Sequence, residues 1–311
     1  MRVFVAGAAG VIGRSLVPRL VAAGHEVTGT TRSPERADAI AAAGATPAVV
    51  DALDADALRA AVEAARPEAI VHELTSLPDR YDPRRSGFYD ATNRLRREGT
   101  HNLLAGALAA GTRRFVCQSL GFAYAPRERP EVLDEEAPLR VGMKGALGDG
   151  MRVIAEMERS VLEAGGIDGV VLRYGWFYGP GTYHGQDGSI TREVRRRRFP
   201  VIGNGAGLLS FVHVDDAADA TVAATERGAP GIYNVVDDDP GAMRDWLPAF
   251  AESIGAPRPR RVPVWLARLV AGPIAAAATV QPGASNAKAK RELAWQPRWP
   301  SWREGFREAP R

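Results

Sequence analysis

A chain of 311 residues that is 45% hydrophobic and 25% charged has material for a large core, which excludes extended disorder and collagen-like repeats. Its 40 basic residues face 37 acidic ones, a net charge of +3 with both signs scattered, so composition makes no case for a nucleic-acid partner. Only three of the 40 are lysines, Lys144, Lys288 and Lys290, and Cys117 is the single cysteine. An intrachain disulfide and a cysteine zinc site are therefore excluded, and a reducing, cytoplasmic setting is expected.

Two apolar stretches are read as parts of a soluble fold. Met1–Gly13 begins with a charge but runs into Gly10, Gly13 and Arg14 with no cleavage region. Val262–Val280 carries Arg268 and is interrupted by Pro263, Gly272 and Pro273; a charge at mid-bilayer costs about 2.5–3.5 kcal/mol. A broken helix packed on a second lobe is expected there instead of a membrane span.

The elements alternate from the start. Arg2–Ala6 reads as a strand and Val11–Ala23 as a helix stopped by Gly24. Glu26–Thr30 is the next strand, and Ser33-Pro34 opens a helix to Ala43. Thr46–Val50, a helix Asp54–Ala65 and a strand Ala69–Val71 follow, then a long helix Asn93–Ala110 and a strand Arg114–Gln118. Met151–Ala164 and Val170–Arg173 add a further helix and strand. Repeated β-α-β units require parallel strands with helices on both faces, so the fold class is α/β, a Rossmann-type doubly wound sheet. After Gly175 the rhythm breaks. Strand-like returns at Leu209–Val212 and Gly231–Val235 rejoin the first domain (1–175 with 209–236), while 176–208 and 237–311 form a smaller substrate-binding lobe.

Gly7-Ala8-Ala9-Gly10-Val11-Ile12-Gly13 sets G-x-x-G-x-x-G between the first strand and helix. Glycines let backbone approach a phosphate, and free amides at the helix start point at the anion. Gly7, Ala9, Gly10, Val11, Ile12 and Gly13 are thus read as the dinucleotide loop; a plain tight turn is the bland alternative. The second strand ends Thr31-Arg32-Ser33 with no acid in reach. An NAD site places a carboxylate there for the ribose 2′-hydroxyl, whereas a 2′-phosphate needs a cation and donors. Arg32 with Thr31 and Ser33 therefore favours NADP, NAD remaining possible; a solvated Arg32 beside a helix cap is the competing reading. Asp51 either accepts from the adenine amino group or caps a helix, and Ala52, Leu74 and Thr75 complete the expected cofactor residues.

The glycine fingerprint resembles that of the extended short-chain dehydrogenase/reductase superfamily, in its branch of sugar-nucleotide epimerases and dehydratases. The similarity runs along the chain through Asp51-Ala52-Leu53-Asp54, Ile70-Val71-His72, Gly99–Leu104, Leu172-Arg173-Tyr174, Tyr178-Gly179-Pro180, Phe211–Asp216 and Glu292–Pro297. The resemblance implies a Tyr-x-x-x-Lys pair on the helix after the fifth strand, with a glutamate four residues beyond the lysine. Anchoring on Glu158 puts Gly150 and Ile154 in those places, and anchoring on Glu156 puts Gly148 and Arg152 there. No tyrosine of this chain has a lysine four residues on, and Lys144 has Arg140 where the tyrosine belongs. The helper serine is displaced too: four residues before Tyr124 stands Leu120, and an insertion in Gly121–Tyr124 would restore Ser119. Trp176 stands where the family commonly has asparagine before Tyr-Gly-Pro.

An atypical member is thus expected, with cofactor binding kept and the acid–base groups moved or lost. Ser119, Tyr124 and Tyr174 are the expected catalytic residues, with Tyr178, Tyr183 and Lys144 as further candidates. His72 and His213 with Asp215 and Asp216 are read as structural. Arg195–Arg198 is either a diphosphate grip or a solvated helix face, and Asp79–Arg85 a loop over the pocket mouth. The function expected is an NADP-dependent oxidoreductase acting on a small carbonyl, imine or enone with a non-standard proton donor. The alternatives are a non-catalytic NADP(H) sensor and an epimerase or dehydratase with bound NAD. By resemblance, the helices 93–110 and 151–164 would pair in a homodimer.

Overall fold

The computed structural model describes residues 1–308. Seven parallel strands form one sheet: β1 (Arg2–Ala6), β2 (Glu26–Thr31), β3 (Thr46–Val49), β4 (Ala69–His72), β5 (Arg114–Leu120), β6 (Asp168–Tyr174) and β7 (Gly231–Val235). Their spatial order is β7-β6-β5-β4-β1-β2-β3, the doubly wound arrangement expected. The central strands are buried on both faces and so read as continuous apolar runs. α1 (Val11–Ala22) and α7 (Val214–Glu226) bury Leu16, Leu20, Ala217, Ala220 and Ala224 on one face. The other face is covered by α3 (Ala55–Ala65), α4 (residues 90–109) and α5 (Gly145–Leu162), through Leu58, Val62, Leu103, Met157 and Val161.

Several boundaries differ from the sequence reading for local reasons. After Ser33 the chain makes a 3₁₀ turn, Pro34–Arg36, before the short helix α2 (Ala37–Ala42). Asp54, not Asp51, caps α3: its carboxylate accepts from the Ala57 amide at 3.0 Å. α4 begins at Asp90 and consists of Asp90–Arg94 and Thr100–Ala109 joined by a π-helical turn, Leu95–Gly99, which no residue pattern announces. α5 starts six residues earlier than read, at Gly145.

The segment after β6 leaves the sheet. Trp176–Tyr178 pairs in parallel with Phe211–His213, separate from the seven strands. The expected return through Leu209–Val212 therefore does not rejoin the main sheet, and only β7 does. α6 (Ser189–Arg195), α8 (Met243–Ser253) and the C-terminal helix Trp302–Glu308 surround Phe211, Trp246, Phe250 and Phe306 to form the core of the second lobe. Asp216 ties the two parts together by accepting from the backbone amides of Arg298 (2.8 Å) and Trp299 (3.1 Å). The apolar stretch 262–280 is broken at Gly272, with helices Val264–Ala271 and Pro273–Ala277 on either side. No helix among the described residues is long and apolar enough to cross a membrane.

Candidate active site

The glycine loop is built as an anion cradle. Gly7 lies at φ +96°, and a Cβ there would stand 2.8 Å from the Glu73 carbonyl oxygen. A Cβ at Gly13 would meet the Gly7 carbonyl at 2.3 Å, so only glycine lets α1 sit this close to the loop. No side chain caps α1 at Gly10, and its first turn holds no acid, leaving the helix-start amides and dipole for a phosphate. Ala9, Gly10, Val11 and Ile12 line a cavity of about 1890 Å³ at the C-terminal edge of the sheet. These residues fit a dinucleotide.

The same cavity is lined by Arg32, which follows β2, and by Arg14 and Arg36, two residues that sequence reasoning missed. Arg36 ends the 3₁₀ turn that starts at Pro34. The two neighbouring hydroxyls are already engaged: Thr31 is buried and accepts from the Ser33 amide at 3.1 Å, and Ser33 donates to Glu35. Thr75 lines the cavity, whereas Leu74 and Ala52 pack in the core beneath it. Asp51 is exposed and accepts from the Leu53 amide at 3.0 Å.

Strand alternation separates the three expected catalytic residues, because successive side chains point to opposite faces. The register pairs Ser119 with Arg173 and Arg173 with Asn234, placing all three on the α5 face. There Arg173 donates to both oxygens of Glu158, at 2.9 and 2.7 Å, and Ser119 donates to the same carboxylate at 2.5 Å. Tyr124 joins this network, donating to Asn234 at 2.6 Å and accepting from Arg173 at 3.1 Å. Tyr174, one residue on, faces α7 instead. Ser119, Tyr124 and Tyr174 are all buried, and none lines the cavity.

The partner of Tyr174 is Glu73, a residue that gave no signal in the sequence beyond being a lone acid after an apolar strand. The Tyr174 hydroxyl lies 2.8 Å from Glu73 Oε1 and 2.6 Å from Thr221 Oγ1, and Thr221 donates to the Ala217 carbonyl at 2.7 Å. Tyr174 donates to Glu73 Oε1, and in its contact with Thr221 either hydroxyl can be the donor. Burial pushes the Glu73 carboxyl up to about 8, against the hydrogen bond with Tyr174. The unfolded chain gives up this proton near the ordinary 4.5. Between those values the native state binds the extra proton, so stability falls as pH rises, by as much as roughly 1.4 kcal/mol per unit. Glu73→Gln keeps an amide oxygen to accept from Tyr174 without the titration. Its melting temperature is expected to stay level from pH 6 to 9 while that of the unmodified protein falls; parallel falls would assign the titration to another group.

Of the two possible registers on α5, the one anchored on Glu158 faces inward. Gly150, Ile154 and Glu158 are buried, whereas Arg152 and Glu156 are exposed. Gly150 lines the cavity, and a Cβ there would lie 3.5 Å from the Asn93 amide nitrogen. Lys144 is exposed and away from the cavity. Tyr178 and Tyr183 do line it, but burial holds both phenols above their usual range, Tyr183 at about 12. His72 is fully buried, bonded through Nε2 to Thr100 at 2.8 Å and accepting from the Leu74 amide at Nδ1. His213 caps α7, accepting from the Asp215 amide at 3.1 Å. Both histidines therefore sit in structural roles. Arg195 and Arg198 line the cavity mouth together with Asp79, Tyr81 and Asp82.

Known proteins bear on this geometry. The NAD dependent epimerase/dehydratase family matches residues 3–235. A Streptomyces protein named 3-diazoavenalumate denitrifying reductase is 46% identical over 98% of this chain and 99% of its own length. A 4-hydroxy-2-methyl-3-oxo-4-farnesyl-3,4-dihydroquinoline-1-oxide ketoreductase from Stigmatella aurantiaca is 28% identical over 82% of this chain and 74% of that protein. Among solved structures, the Thermotoga maritima UDP-glucose 4-epimerase with UDP-glucose superposes with a TM-score of 0.78 at 21% identity, covering 99% of this chain and 97% of that one. A human epimerase family protein with NADPH gives 0.73 at 22% identity, covering 99% of each chain. The chain belongs to the NAD dependent epimerase/dehydratase family and is an NAD(P)-dependent oxidoreductase within it.

Proposed function

We propose that this protein is an NADPH-dependent reductase whose substrate takes up hydride without receiving a proton from a side chain, and that the accepting group is an aromatic diazonium. The observation that carries this reading is the inward face of α5, where Gly150 and Ile154 occupy the places that the resemblance assigns to an acid–base pair. Neither residue holds a transferable proton. Ser119, Tyr124 and Tyr174 are consumed by buried networks, Glu73 borders the cavity but is tied to the Tyr174 hydroxyl, and a phenol held above its usual range, as at Tyr183, is a poor acid. A carbonyl, imine or enone would need such a proton as negative charge develops; a diazonium does not.

The bound nicotinamide would supply the hydride. The chain's own part is to hold and enclose. The amides at the start of α1 take the pyrophosphate, and Arg32 and Arg36 take the 2′-phosphate, which is what favours NADPH over NADH. Trp176 and Phe122, 5.1 Å apart, and Tyr81, 5.4 Å from Trp176, wall the substrate end and keep water from the reacting carbon. The balance closes without an acid: the hydride pair forms the new C–H bond, and dinitrogen leaves with the C–N pair. The name of the Streptomyces relative, with its diazo and denitrifying terms, supports this class. The test is anaerobic incubation with NADPH and an arenediazonium, reading NADPH loss, dinitrogen and arene together. Equal amounts above the protein-free rate are expected. NADPH binding without consumption would instead favour a sensor.

A further inference from the structure

Two arginines in the cavity have no counter-charge. Arg96 and Arg140 are buried, at 9% and 8% exposure, and both line the cavity. Buried arginine is rare unless paired, yet neither makes a salt bridge among the described residues. Burial pushes the guanidinium of each down to about 10. Arg140 is at least hydrogen-bonded, donating to the Tyr124 carbonyl at 2.8 Å and to Gln281. Arg96 has one recorded bond, to Asn93 Oδ1 at 3.2 Å, out of five possible donors. Its placement is specific. Its neighbours Arg94 and Arg97 are exposed, whereas helical spacing from the buried Thr92 and Asn93 turns Arg96 inward, within the π-helical turn Leu95–Gly99; such turns recur at functional sites. Asn93, its only hydrogen-bond partner among the described residues, is the residue nearest the space left at Gly150.

We propose that Arg96 is the anion-binding residue of the substrate pocket, that Arg140 adds to its field, and that the substrate is an aromatic carboxylic acid. The aromatic body follows from the walls, where Tyr81 packs 5.4 Å from both Trp176 and Tyr183. The carboxylate follows from the planar fork of a guanidinium, which takes two oxygens at once. Naming the ligand a substrate rests on the reductase reading above; the binding itself does not.

The test is calorimetric titration of the NADP⁺-saturated protein with cinnamate and with the isosteric neutral cinnamamide. The acid is expected to bind about 10–100-fold more tightly, the range of a charge-assisted pair. Arg96→Gln removes that preference, Arg96→Lys keeps part of it, and Arg140→Gln reduces it less. NADP⁺ affinity stays within about threefold in all three, on the additive rule for separate sites. Equal affinity for acid and amide in the unmodified protein overturns the proposal. So does an Arg96→Gln protein that loses NADP⁺ and cinnamate together, since Arg96 would then serve the cofactor; if that variant fails to fold, the same comparison is read from Arg96→Lys. An acid preference that survives while arenediazonium turnover is absent removes the reductase reading and leaves this one standing.

Discussion

Replacing Arg32 and Arg36 together by alanine is expected to weaken NADPH binding by about 100–10,000-fold, while NADH binding changes by less than about threefold. Both side chains line the cavity beyond the end of β2, and neither has an ion-pair partner among the described residues. Each charge-assisted contact to a phosphate contributes about 1.5–3 kcal/mol, and 1.4 kcal/mol is tenfold in affinity. Ser33 and Thr31 add little, because Thr31 is buried in the turn and the Ser33 hydroxyl faces Glu35. Fluorescence titration of both cofactors against Arg32→Ala, Arg36→Ala and the double variant separates the contributions. Equal losses for NADPH and NADH would mean that the arginines shape the loop and do not read the phosphate.

The second large effect concerns stability. Glu158 and Arg173 form a bidentate pair with side chains only 5% and 4% exposed. Glu158→Gln leaves the Arg173 charge buried without its partner, which costs about 3–5 kcal/mol. In a protein of this size that lowers the melting temperature by roughly 10 °C. The double variant Glu158→Leu/Arg173→Met removes both charges and is expected to melt above Glu158→Gln. Ser119→Ala removes one hydrogen bond from a carboxylate that keeps its arginine, a loss of about 1 kcal/mol with turnover intact. Calorimetric melting of the four proteins reads the stability claims. A folded Ser119→Ala protein whose turnover drops by orders of magnitude would return Ser119 to the chemistry.

The doubly wound sheet was legible because its signals are local and repeated. Apolar strands, the glycine fingerprint and punctuating residues such as Gly24 and Ser33-Pro34 each act within a few residues. What stayed hidden depends on which face of the sheet a side chain takes and on what lies across from it. Ser119 reads as a free hydroxyl at a strand end, but the register sets it opposite Arg173 and under Glu158. Tyr174 reads as a loop tyrosine, but it ends β6 and turns to Thr221 and Glu73. Arg96 sits in a run of surface-like charge, and only the packing of its helix face makes it a pocket residue. Glu73 reads as a lone acid after an apolar strand, and only the fold buries it beside the Tyr174 hydroxyl.

The central claim is a reduction that uses the cofactor's hydride and no side-chain acid. Its most direct measurement is anaerobic, stoichiometric turnover of an arenediazonium carboxylate with NADPH, repeated for Tyr183→Phe, Tyr178→Phe and Ser119→Ala. The account predicts one dinitrogen and one arene for each NADPH consumed, with all three variants within about threefold of the unmodified protein, since none is asked to supply a transition-state proton. NADPH oxidation with nitrogen retained in the product, or a loss of two orders of magnitude in any one of these variants, would contradict it.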